Sequence, residues 1–289
     1  MENKPRKRVL IPSLRGMRDI LPEGQVYYHK FLKIAEKLVS LYNFKRIDTP
    51  ILERAELFIK GTGAITDIVQ KEMYTFRSKG GEWLALRPEG TPPVVRAYLE
   101  HGMISWPQPV KLYYYGPFFR HESPQAGRYR EFRQFGLEVI GEKDASVDGE
   151  IILLTYRIIQ KFGLKRNIVE INSIGCPKCR GKYKRLLTRY LTKHQMALCQ
   201  NCRRRIKANP LRVLDCKEAR CHPVIEAAPQ IIDYLCQECH NHLKETLEYL
   251  DEAKIPYTLN PTLVRGLDYY TKTVFEIVQE GDEQKLSLA

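Results

Sequence analysis

Eight cysteines lie between residues 176 and 239, and no cysteine precedes them. Three pairs have Cys-x-x-Cys spacing, and two further cysteines lie between the second and third pairs: Cys176 and Cys179, Cys199 and Cys202, Cys236 and Cys239, with Cys216 and Cys221 between. In a chain without a secretory signal, such clustered pairs are typical of structural zinc rather than of disulfides, because both thiolates of a pair can reach one ion. The spacing predicts at least one structural zinc.

The pairing of these thiols is open at the level of sequence. The first two pairs give one tetrad, and the remaining four cysteines could give a second, with the pairs combining in order or interleaving. His222 and His240 are possible substitute ligands. We expect the metal to order a small basic module that has no core of its own.

A second group of reactive side chains lies in the segment LVRGLDYYTKTVFEIV, residues 263–278. Arg265, Tyr269 and Tyr270 flank a turn at Gly266 and Asp268, just before an alternating strand pattern. The segment has two interpretations. It is either a hairpin entry whose aromatics pack in a core, or one wall of a binding site.

A third group lies on an alternating strand that contains Gln134, Gly136 and Glu138 on one face. The glycine between a carboxamide and a carboxylate leaves room for a small ligand over the sheet. The preceding loop is rich in charge, with Arg120, His121, Glu122, Arg128, Arg130 and Arg133. Arginines around such a gap suit recognition of phosphate or carboxylate, although no P-loop or Rossmann glycine motif is present.

The elements that position these groups follow from hydrophobic periodicity. Helices are predicted over 25–43, 147–162, 242–253 and the later part of 89–103, and strands over 44–53, 72–78, 82–88, 110–122, 128–141, 167–175 and the alternation after residue 273. Pro50 interrupts the first strand and belongs at an edge or a bend. The pattern predicts an α+β fold, an antiparallel sheet flanked by helices, with a small helical zinc-binding insertion.

Composition sets broad limits on the chain. Its 289 residues, of which 43% are hydrophobic, are enough for a large domain with an insertion. The net charge of +13 suggests a polyanionic partner. We expect no membrane span, because no run of eighteen apolar residues exists, and a cytoplasmic location, because the basic N-terminus lacks an apolar signal region.

Several segments together resemble histidyl-tRNA synthetases, which are class II aminoacyl-tRNA synthetases. FRHESPQAGRYREFRQFGLEVIG resembles motif 2 of that class, and the histidine-specific signatures are similar to LRPEGT (86–91) and LVRGLDYYT (263–271). RGMRDILP (15–22) and IDTPILE (47–53) resemble the family's N-terminus and motif 1. The resemblance implies a catalytic core over 1–175, a cysteine-rich insertion over 176–242, and a return to the core over 243–289.

The resemblance also assigns roles to matching positions. Arg120 and Arg265 are expected on the ATP α-phosphate as the catalytic arginines, and Arg128 on the outer phosphates. The amino acid histidine would be bound by Glu89, Gly90, Thr91, Gln134, Glu138, Tyr269 and Tyr270. A carboxylate and a tyrosine hydroxyl are suitable partners for imidazole N–H groups.

The implied reaction forms histidyl-adenylate from histidine and ATP and then transfers the histidyl group to tRNA(His). Mg²⁺ is expected on the ATP phosphates, and the run CRRRIK (202–207) on tRNA phosphates. A homodimer is expected through the motif 1 segment near Pro50.

The chain departs from the family pattern at its end, EGDEQKLSLA. In the family, a glycine-rich motif 3 and an anticodon-binding domain would follow, so we expect a catalytic core truncated before motif 3. The alternative function is a non-catalytic relative, the regulatory subunit of ATP phosphoribosyltransferase, or an inactive fragment.

Overall fold

A computed structural model of the chain describes residues 11–63, 66, 68–122, 127–265, 269–279 and 288. Within these residues there are eight α-helices: α1 (Pro22–Leu41), α2 (Ala55–Thr62), α3 (Thr91–Glu100), α4 (Ala145–Phe162), α5 (Pro177–Lys193), α6 (Gln200–Ala208), α7 (His222–Glu226) and α8 (Gln237–Glu252). The same residues form nine strands: β1 (Lys45–Arg46), β2 (Leu52–Arg54), β3 (Thr75–Arg77), β4 (Trp83–Leu86), β5 (Val110–Phe119), β6 (Glu131–Ile140), β7 (Asn167–Ser173), β8 (Tyr257–Leu259) and β9 (Thr273–Gln279).

Short helical turns complete the described structure. A π-helical turn spans Ile68–Glu72, and 3₁₀ turns span Met103–Ser105, Gln195–Ala197, Pro210–Val213, Ala219–Cys221 and Ile231–Tyr234. None of the helices in the described ranges has both the length and the apolar character that crossing a membrane requires.

The central sheet has the order β1-β5-β6, with β5 and β6 antiparallel over ten residue pairs. One face of β6 carries Phe135, Leu137 and Val139, which pack against α1 and α4. The opposite face of the sheet carries Tyr114 and Phe118 of β5, which pack against α3. The predicted alternation along 128–141 is therefore confirmed, and the sheet is covered on both faces.

The predicted strand over 44–53 divides at Pro50 into two strands that belong to different sheets. β1 pairs with β5 in parallel, and β2 pairs with β4 in the antiparallel sheet β2-β4-β3. Proline lacks a donor for a continuous ladder, so the chain changes partner at this position. The expectation of one antiparallel sheet was wrong in this detail, because the described residues form three three-stranded sheets that include two parallel pairs.

The third sheet, β8-β7-β9, connects the histidine-signature segment to the cysteine-rich segment. β9 pairs antiparallel with β7 from Asn167 opposite Gln279 to Ser173 opposite Thr273. Ile171 and Ile277 of this sheet are fully buried against Ile152 of α4 and Leu250 of α8. The sheet therefore holds the strand after residue 272 directly beside the point where the insertion begins.

The insertion has a core of its own, so the expectation of a coreless module was wrong. Tyr183, Leu187 and Leu191 recur on one face of α5 and are fully buried, together with Leu198. The spacing of four residues places these side chains along one helical face. Helix α8 also begins earlier than predicted, at Gln237 rather than at 242, because it starts directly after Cys236.

Candidate active site

Glu138 lies on the face of β6 that the sequence predicts for a ligand. Its Oε1 accepts a hydrogen bond from the Thr91 hydroxyl at 2.7 Å, at the first residue of α3. Burial raises the pKa of Glu138 to about 7, and the nearby charge of Glu89 acts in the same direction. The carboxyl group is thus poised to change its protonation state near neutral pH.

Tyr114 is a pocket residue that the sequence reasoning missed. It lies opposite Gly136 in the β5–β6 register, and its hydroxyl hydrogen-bonds Glu138. A Cβ atom added at Gly90 or at Gly136 would lie 2.1 Å from the Tyr114 ring. Because the ring fills the space above both glycines, neither position accepts a side chain. The signal that could have found Tyr114 is a glycine directly across the strand pair from an aromatic residue.

Glu89 is the second carboxylate of the site and is 5% exposed. Thr62 at the end of α2 donates a hydrogen bond to Oε1, and the Tyr269 hydroxyl donates to Oε2 at 2.8 Å. Burial raises the pKa of Glu89, while these two donors and the charge of Arg120 oppose the rise. Thr62 was not predicted, because it lies 27 residues away along the chain in a helix that the sequence pattern did not indicate.

Tyr269 and Tyr270 stack with ring centroids 5.0 Å apart and an interplanar angle of 20°. Burial raises the pKa of both hydroxyls, and the charge of Glu89 adds to each rise. Both tyrosines therefore remain neutral donors at neutral pH. The predicted turn at Gly266 and Asp268 lies outside the described residues.

These groups form one site, the carboxylate pocket, which consists of Glu89, Tyr114, Glu138, Tyr269 and Tyr270. One buried carboxylate, one half-buried carboxylate and three hydroxyls suit a small cationic ligand that carries several N–H donors. Gly90 and Thr91 also reach this pocket, through the Tyr114 ring and the Thr91 hydroxyl.

Gln134 is half-buried on the same strand face as Glu138, opposite Gly116. Beneath Gly116 lies Arg87, which donates to the carbonyls of Pro117 at 3.0 Å and Thr49 at 2.8 Å. A Cβ atom at Gly116 would lie 2.4 Å from an Arg87 nitrogen. Arg87 therefore fixes the strand beside Gln134, a supporting role that sequence reasoning also missed.

Arg120 and Arg128 lie on either side of Glu122. The Nη1 atoms are 3.7 Å and 3.6 Å from the Glu122 carboxylate oxygens, and Arg120 also donates from Nε to the Pro88 carbonyl at 2.9 Å. Arg120 stands beside the pocket, since its charge acts on Glu89. Arg128 is 68% exposed, so its guanidinium is free to engage a solvent-borne anion.

Arg265 is directed elsewhere than toward Arg120 and Arg128. Its Nη1 lies 2.7 Å from Oε1 of Glu276 on β9, and its guanidinium carbon lies 5.8 Å from the centroid of the Tyr270 ring. About a third of the side chain is exposed, at 32%. To bind a phosphate, Arg265 must therefore break its ion pair with Glu276.

Residues 16–289 match the model of a protein family described as Histidyl-tRNA synthetase. This chain belongs to the histidyl-tRNA synthetase family. The histidine–tRNA ligase of Halothermothrix orenii is 51% identical over 267 residues, which cover 92% of this chain and 64% of that protein. The corresponding protein of Desulforudis audaxviator is 50% identical over 273 residues, with coverages of 94% and 65%. The chain thus spans less than two thirds of the length of these curated relatives.

Solved structures agree with this membership of the histidyl-tRNA synthetase family. The structure of apo histidyl-tRNA synthetase from S. aureus has a TM-score of 0.73 and 40% identity, covering 93% of this chain and 62% of that one. It confirms the prediction of a class II synthetase-like fold of helices and sheets. A Bacillus halodurans protein, described as an ATP phosphoribosyltransferase regulatory subunit/histidyl-tRNA synthetase, has a TM-score of 0.69 at 22% identity and shows a shared fold alone.

In this family member the eight cysteines are nested, so neither sequence alternative, pairing in order or interleaving, describes them: the first and last pairs combine, and the four cysteines between them form the second cluster. The base cluster consists of Cys176, Cys179, Cys236 and Cys239, and the distal cluster of Cys199, Cys202, Cys216 and Cys221. Within each cluster all sulfur atoms lie within 4.8 Å of one another. The nested pairing cannot be read from spacing, because it depends on how α5 and α8 bring the two ends of the insertion together.

The sulfur geometry fits a tetrahedral metal site. Four sulfurs at about 2.3 Å from one Zn²⁺ stand about 3.8 Å apart. The observed separations are 3.6 Å for Cys176–Cys179, 4.0 Å for Cys176–Cys236, 3.9 Å for Cys199–Cys216 and 4.0 Å for Cys202–Cys221. These distances are about twice a disulfide bond length of about 2.05 Å. The possible substitutes His222 and His240 belong to neither cluster.

Backbone amides favour the thiolate form at these clusters. The Cys179 N–H lowers the pKa of Cys176 to about 7, although desolvation opposes this change. The Cys236 N–H donates to the Cys179 sulfur at 3.1 Å, and the Cys199 N–H donates to the Cys221 sulfur at 3.2 Å. Desolvation nevertheless raises the pKa of Cys179 and Cys221, so these donors offset only part of the cost of the thiolates that a metal binds.

Two arginines of the run CRRRIK form hydrogen bonds within the cysteine-rich segment. Arg203 donates to the carbonyls of Gln195 at 2.9 Å and Met196 at 3.0 Å, and Arg205 donates to the Arg212 carbonyl at 3.2 Å. These bonds satisfy carbonyls beside the distal cluster. Arg204 and Lys207 of the run remain exposed toward solvent.

Proposed function

We propose that this chain carries the catalytic core of a histidine–tRNA ligase, which activates histidine with ATP and passes it to tRNA(His). The observation that carries the proposal is the carboxylate pocket, in which Glu89 is buried, Glu138 is half-buried, and both are bound by hydroxyl donors. An amino acid with a cationic α-amino group and an imidazole side chain offers the N–H groups that such a pocket accepts. The family membership and the names of the relatives support the same reaction.

In this proposal each carboxylate has a separate partner. Glu89 faces the α-amino group, because a buried carboxylate stabilises an ammonium, and Glu138 accepts an imidazole N–H. Gln134 and Tyr270 complete the imidazole contacts, and Tyr269 holds Glu89 in position through its hydroxyl. The two carboxylates repel each other, so a cationic ligand between them relieves an unfavourable interaction.

The reaction needs no side-chain nucleophile, because the histidine carboxylate attacks the α-phosphorus of ATP and pyrophosphate leaves. Negative charge increases on the α-phosphoryl oxygens as the bond forms. Arg120, already beside Glu89, stabilises that charge, and Arg265 joins it after leaving Glu276. Fixed guanidiniums aimed at developing charge lower the barrier more than they stabilise the ground state. Arg128 neutralises the outer phosphates.

Two metals belong to this proposal. Mg²⁺ would neutralise charge on the β- and γ-phosphates of ATP, for which oxygen ligands are its usual partners. Zn²⁺ fits the base and distal clusters, since each offers four sulfurs at tetrahedral separations. We assign both zinc sites a structural role, because four protein ligands leave no open position for substrate.

The proposed partners are tRNA(His) and a second copy of the chain. Arg204 and Lys207 are the exposed members of the basic run that suit tRNA phosphates. A homodimer through the segment near Pro50 is supported by the apolar side chains of Ile51 and Leu52, which are 43% and 45% exposed. The solvent-facing position of such side chains is typical of an interaction surface.

The test of the function is histidine-dependent ATP–pyrophosphate exchange. It is measured on this chain and on the chain extended with the C-terminal third of the H. orenii relative. Glu138→Gln should reduce exchange at least about 100-fold, because it replaces a half-buried carboxylate acceptor with a neutral amide. Glu142→Gln, which changes an exposed glutamate beyond the end of β6, is the matched control and should leave exchange unchanged.

Failure of the extended chain to support exchange would refute the ligase proposal. Histidine binding without exchange in the extended chain would instead favour a non-catalytic regulatory relative.

A further inference from the structure

The base cluster lies where the cysteine-rich insertion leaves and re-enters the catalytic core. Cys176 and Cys179 follow β7, and Cys236 and Cys239 begin α8. Arg180, the residue after Cys179, donates from Nη1 to the backbone carbonyl of Tyr270 at 2.6 Å. The residue next to a cluster cysteine therefore hydrogen-bonds directly to a residue of the carboxylate pocket.

The backbone provides a second connection between the cluster and the pocket. The Ile174 N–H donates to the Lys272 carbonyl at 2.8 Å, and the Lys272 N–H donates to the Gly175 carbonyl at 3.1 Å. Gly175 has φ of +65°, and a Cβ atom there would lie 2.6 Å from Cβ of Cys179. The chain therefore turns tightly from the Lys272 ladder into the first ligand pair.

The other half of the cluster reaches the same segment. Glu238 lies between Cys236 and Cys239, and its Oε1 is 3.1 Å from Nζ of Lys272. Both ligand pairs thus contact residues 270–272 through a side chain next to a cysteine. The distal cluster belongs to the same hydrophobic core as Tyr270, but its cited hydrogen bond, from the Cys199 N–H to the Cys221 sulfur, stays within the cluster.

We infer that the base cluster, acting through Arg180, holds Tyr269 and Tyr270 in the carboxylate pocket, so that its metal occupancy sets the affinity for the amino acid. The inference rests on the proposed function for the identity of that amino acid. Arg180 is a positioning residue, since it touches the Tyr270 backbone and no reacting atom. The effect passes from Tyr270 to Tyr269 by ring stacking and from Tyr269 to Glu89 by the 2.8 Å hydrogen bond.

The first test compares Arg180→Ala with Arg185→Ala on the zinc-loaded chain. Both remove one arginine from α5, but Arg185 is exposed. Arg180→Ala should weaken histidine binding in calorimetry about tenfold, the effect of losing part of a charge-assisted hydrogen bond. It should also speed hydrogen exchange in the peptide that covers residues 269–279, with zinc content unchanged. Equal affinity and equal exchange in the two variants would overturn the inference.

A second test compares the two clusters through one buried cysteine in each. Cys239→Ser and Cys202→Ser should each remove one zinc per chain, and both cysteines are fully buried. Only Cys239→Ser should speed hydrogen exchange over residues 269–279 and weaken histidine binding. Equal effects of the two variants on that peptide would contradict a specific link from the base cluster. If a cysteine variant does not fold, the arginine pair still decides the question.

The two proposals fail in different ways. If the two arginine variants differ in hydrogen exchange over residues 269–279 but the wild-type chain binds no histidine, the proposed function is contradicted and the positioning link is supported. A chain that binds histidine equally in both arginine variants would retain the function and refute the link.

Discussion

In the carboxylate pocket, Glu89 and Glu138 are held by hydroxyl donors that come from separate segments, among them α2, α3 and the segment before β9. In the base and distal clusters, by contrast, four sulfurs converge from two chain segments or more onto one point. The pocket leaves acceptor capacity for a ligand, whereas a four-sulfur site has none to spare once a metal is bound. The difference indicates that the pocket is built to exchange partners and the clusters to keep theirs.

The largest expected effect is the removal of metal from both clusters. Exhaustive chelation should lower the free energy of unfolding by several kcal/mol, on the order of half the binding energy of a structural zinc, because the module retains its own core. Circular dichroism should show partial loss of helix, and added Zn²⁺ at two ions per chain should restore it. A chelated chain with an unchanged melting temperature would show that the cysteine clusters do not hold a structural metal, which contradicts the contrast with the pocket.

The next effect concerns the pocket floor. Gly136→Ala forces a Cβ atom to within 2.1 Å of the Tyr114 ring, which Gly90 blocks on its other side. Overpacking of this kind costs about 1–3 kcal/mol, and we expect histidine affinity to fall at least about 100-fold. Calorimetry measures the affinity. Gly181→Ala, at a helical site with no atom within 4 Å, is the control and should stabilise the fold slightly.

A double variant sharpens this prediction. Tyr114→Ala removes the ring that Gly136→Ala would strike, so the two changes together should cost less stability than their sum. Strict additivity, or a Gly136→Ala chain that binds histidine like Gly181→Ala, would show that the ring does not fix the pocket floor.

The same contrast explains which features the sequence could predict. The alternation along β6 identifies the face of Gln134 and Glu138, because side-chain direction in a strand has a fixed period. The spacing of the cysteines predicts a metal site for a similar local reason, and the sulfur separations in both clusters fit one. Local periodicity and spacing were therefore enough to predict the types of the elements and the chemical class of each candidate site.

The remaining features depend on contacts between distant segments. Thr62 reaches Glu89 from 27 residues away, and Arg180 reaches Tyr270 from 90 residues away. No periodicity encodes such a pairing. The core of the insertion was missed because Tyr183 and Leu187 stand among many lysines and arginines, which lowered the apparent hydrophobicity of α5. The buried stripe itself keeps helical spacing.

A smaller effect tests the charge of the pocket through pH. The folded-state pKa of Glu138 is raised by burial from 4.5 to about 7. Its contribution to stability is therefore fully present below about pH 4.5 and is lost as the pH rises through 7, because the unfolded chain then releases a proton that the folded chain keeps. The loss is on the order of 3 kcal/mol. Glu89 contributes in the same direction.

Urea unfolding at pH 5 and pH 8 measures this slope. Glu138→Gln should flatten it, since glutamine does not titrate, while the exposed Glu142→Gln should leave it as in the wild type. A Glu138→Gln chain with the full wild-type slope would assign the titration to another group and weaken the case for an electrostatically strained pocket.

The smallest effect concerns the pair of Arg265 and Glu276, whose side chains are 32% and 27% exposed. A partly exposed ion pair contributes about 1 kcal/mol or less, so Glu276→Gln should lower the free energy of unfolding only slightly. Glu248→Gln, which removes the exposed partner of Lys244 on α8, is the matched control. A weak pair is what the proposed role requires, because Arg265 must leave Glu276 to reach a phosphate. A loss of several kcal/mol on Glu276→Gln in urea unfolding would mark Arg265 as a fixed structural residue, like the cysteines, and would argue against its part in catalysis.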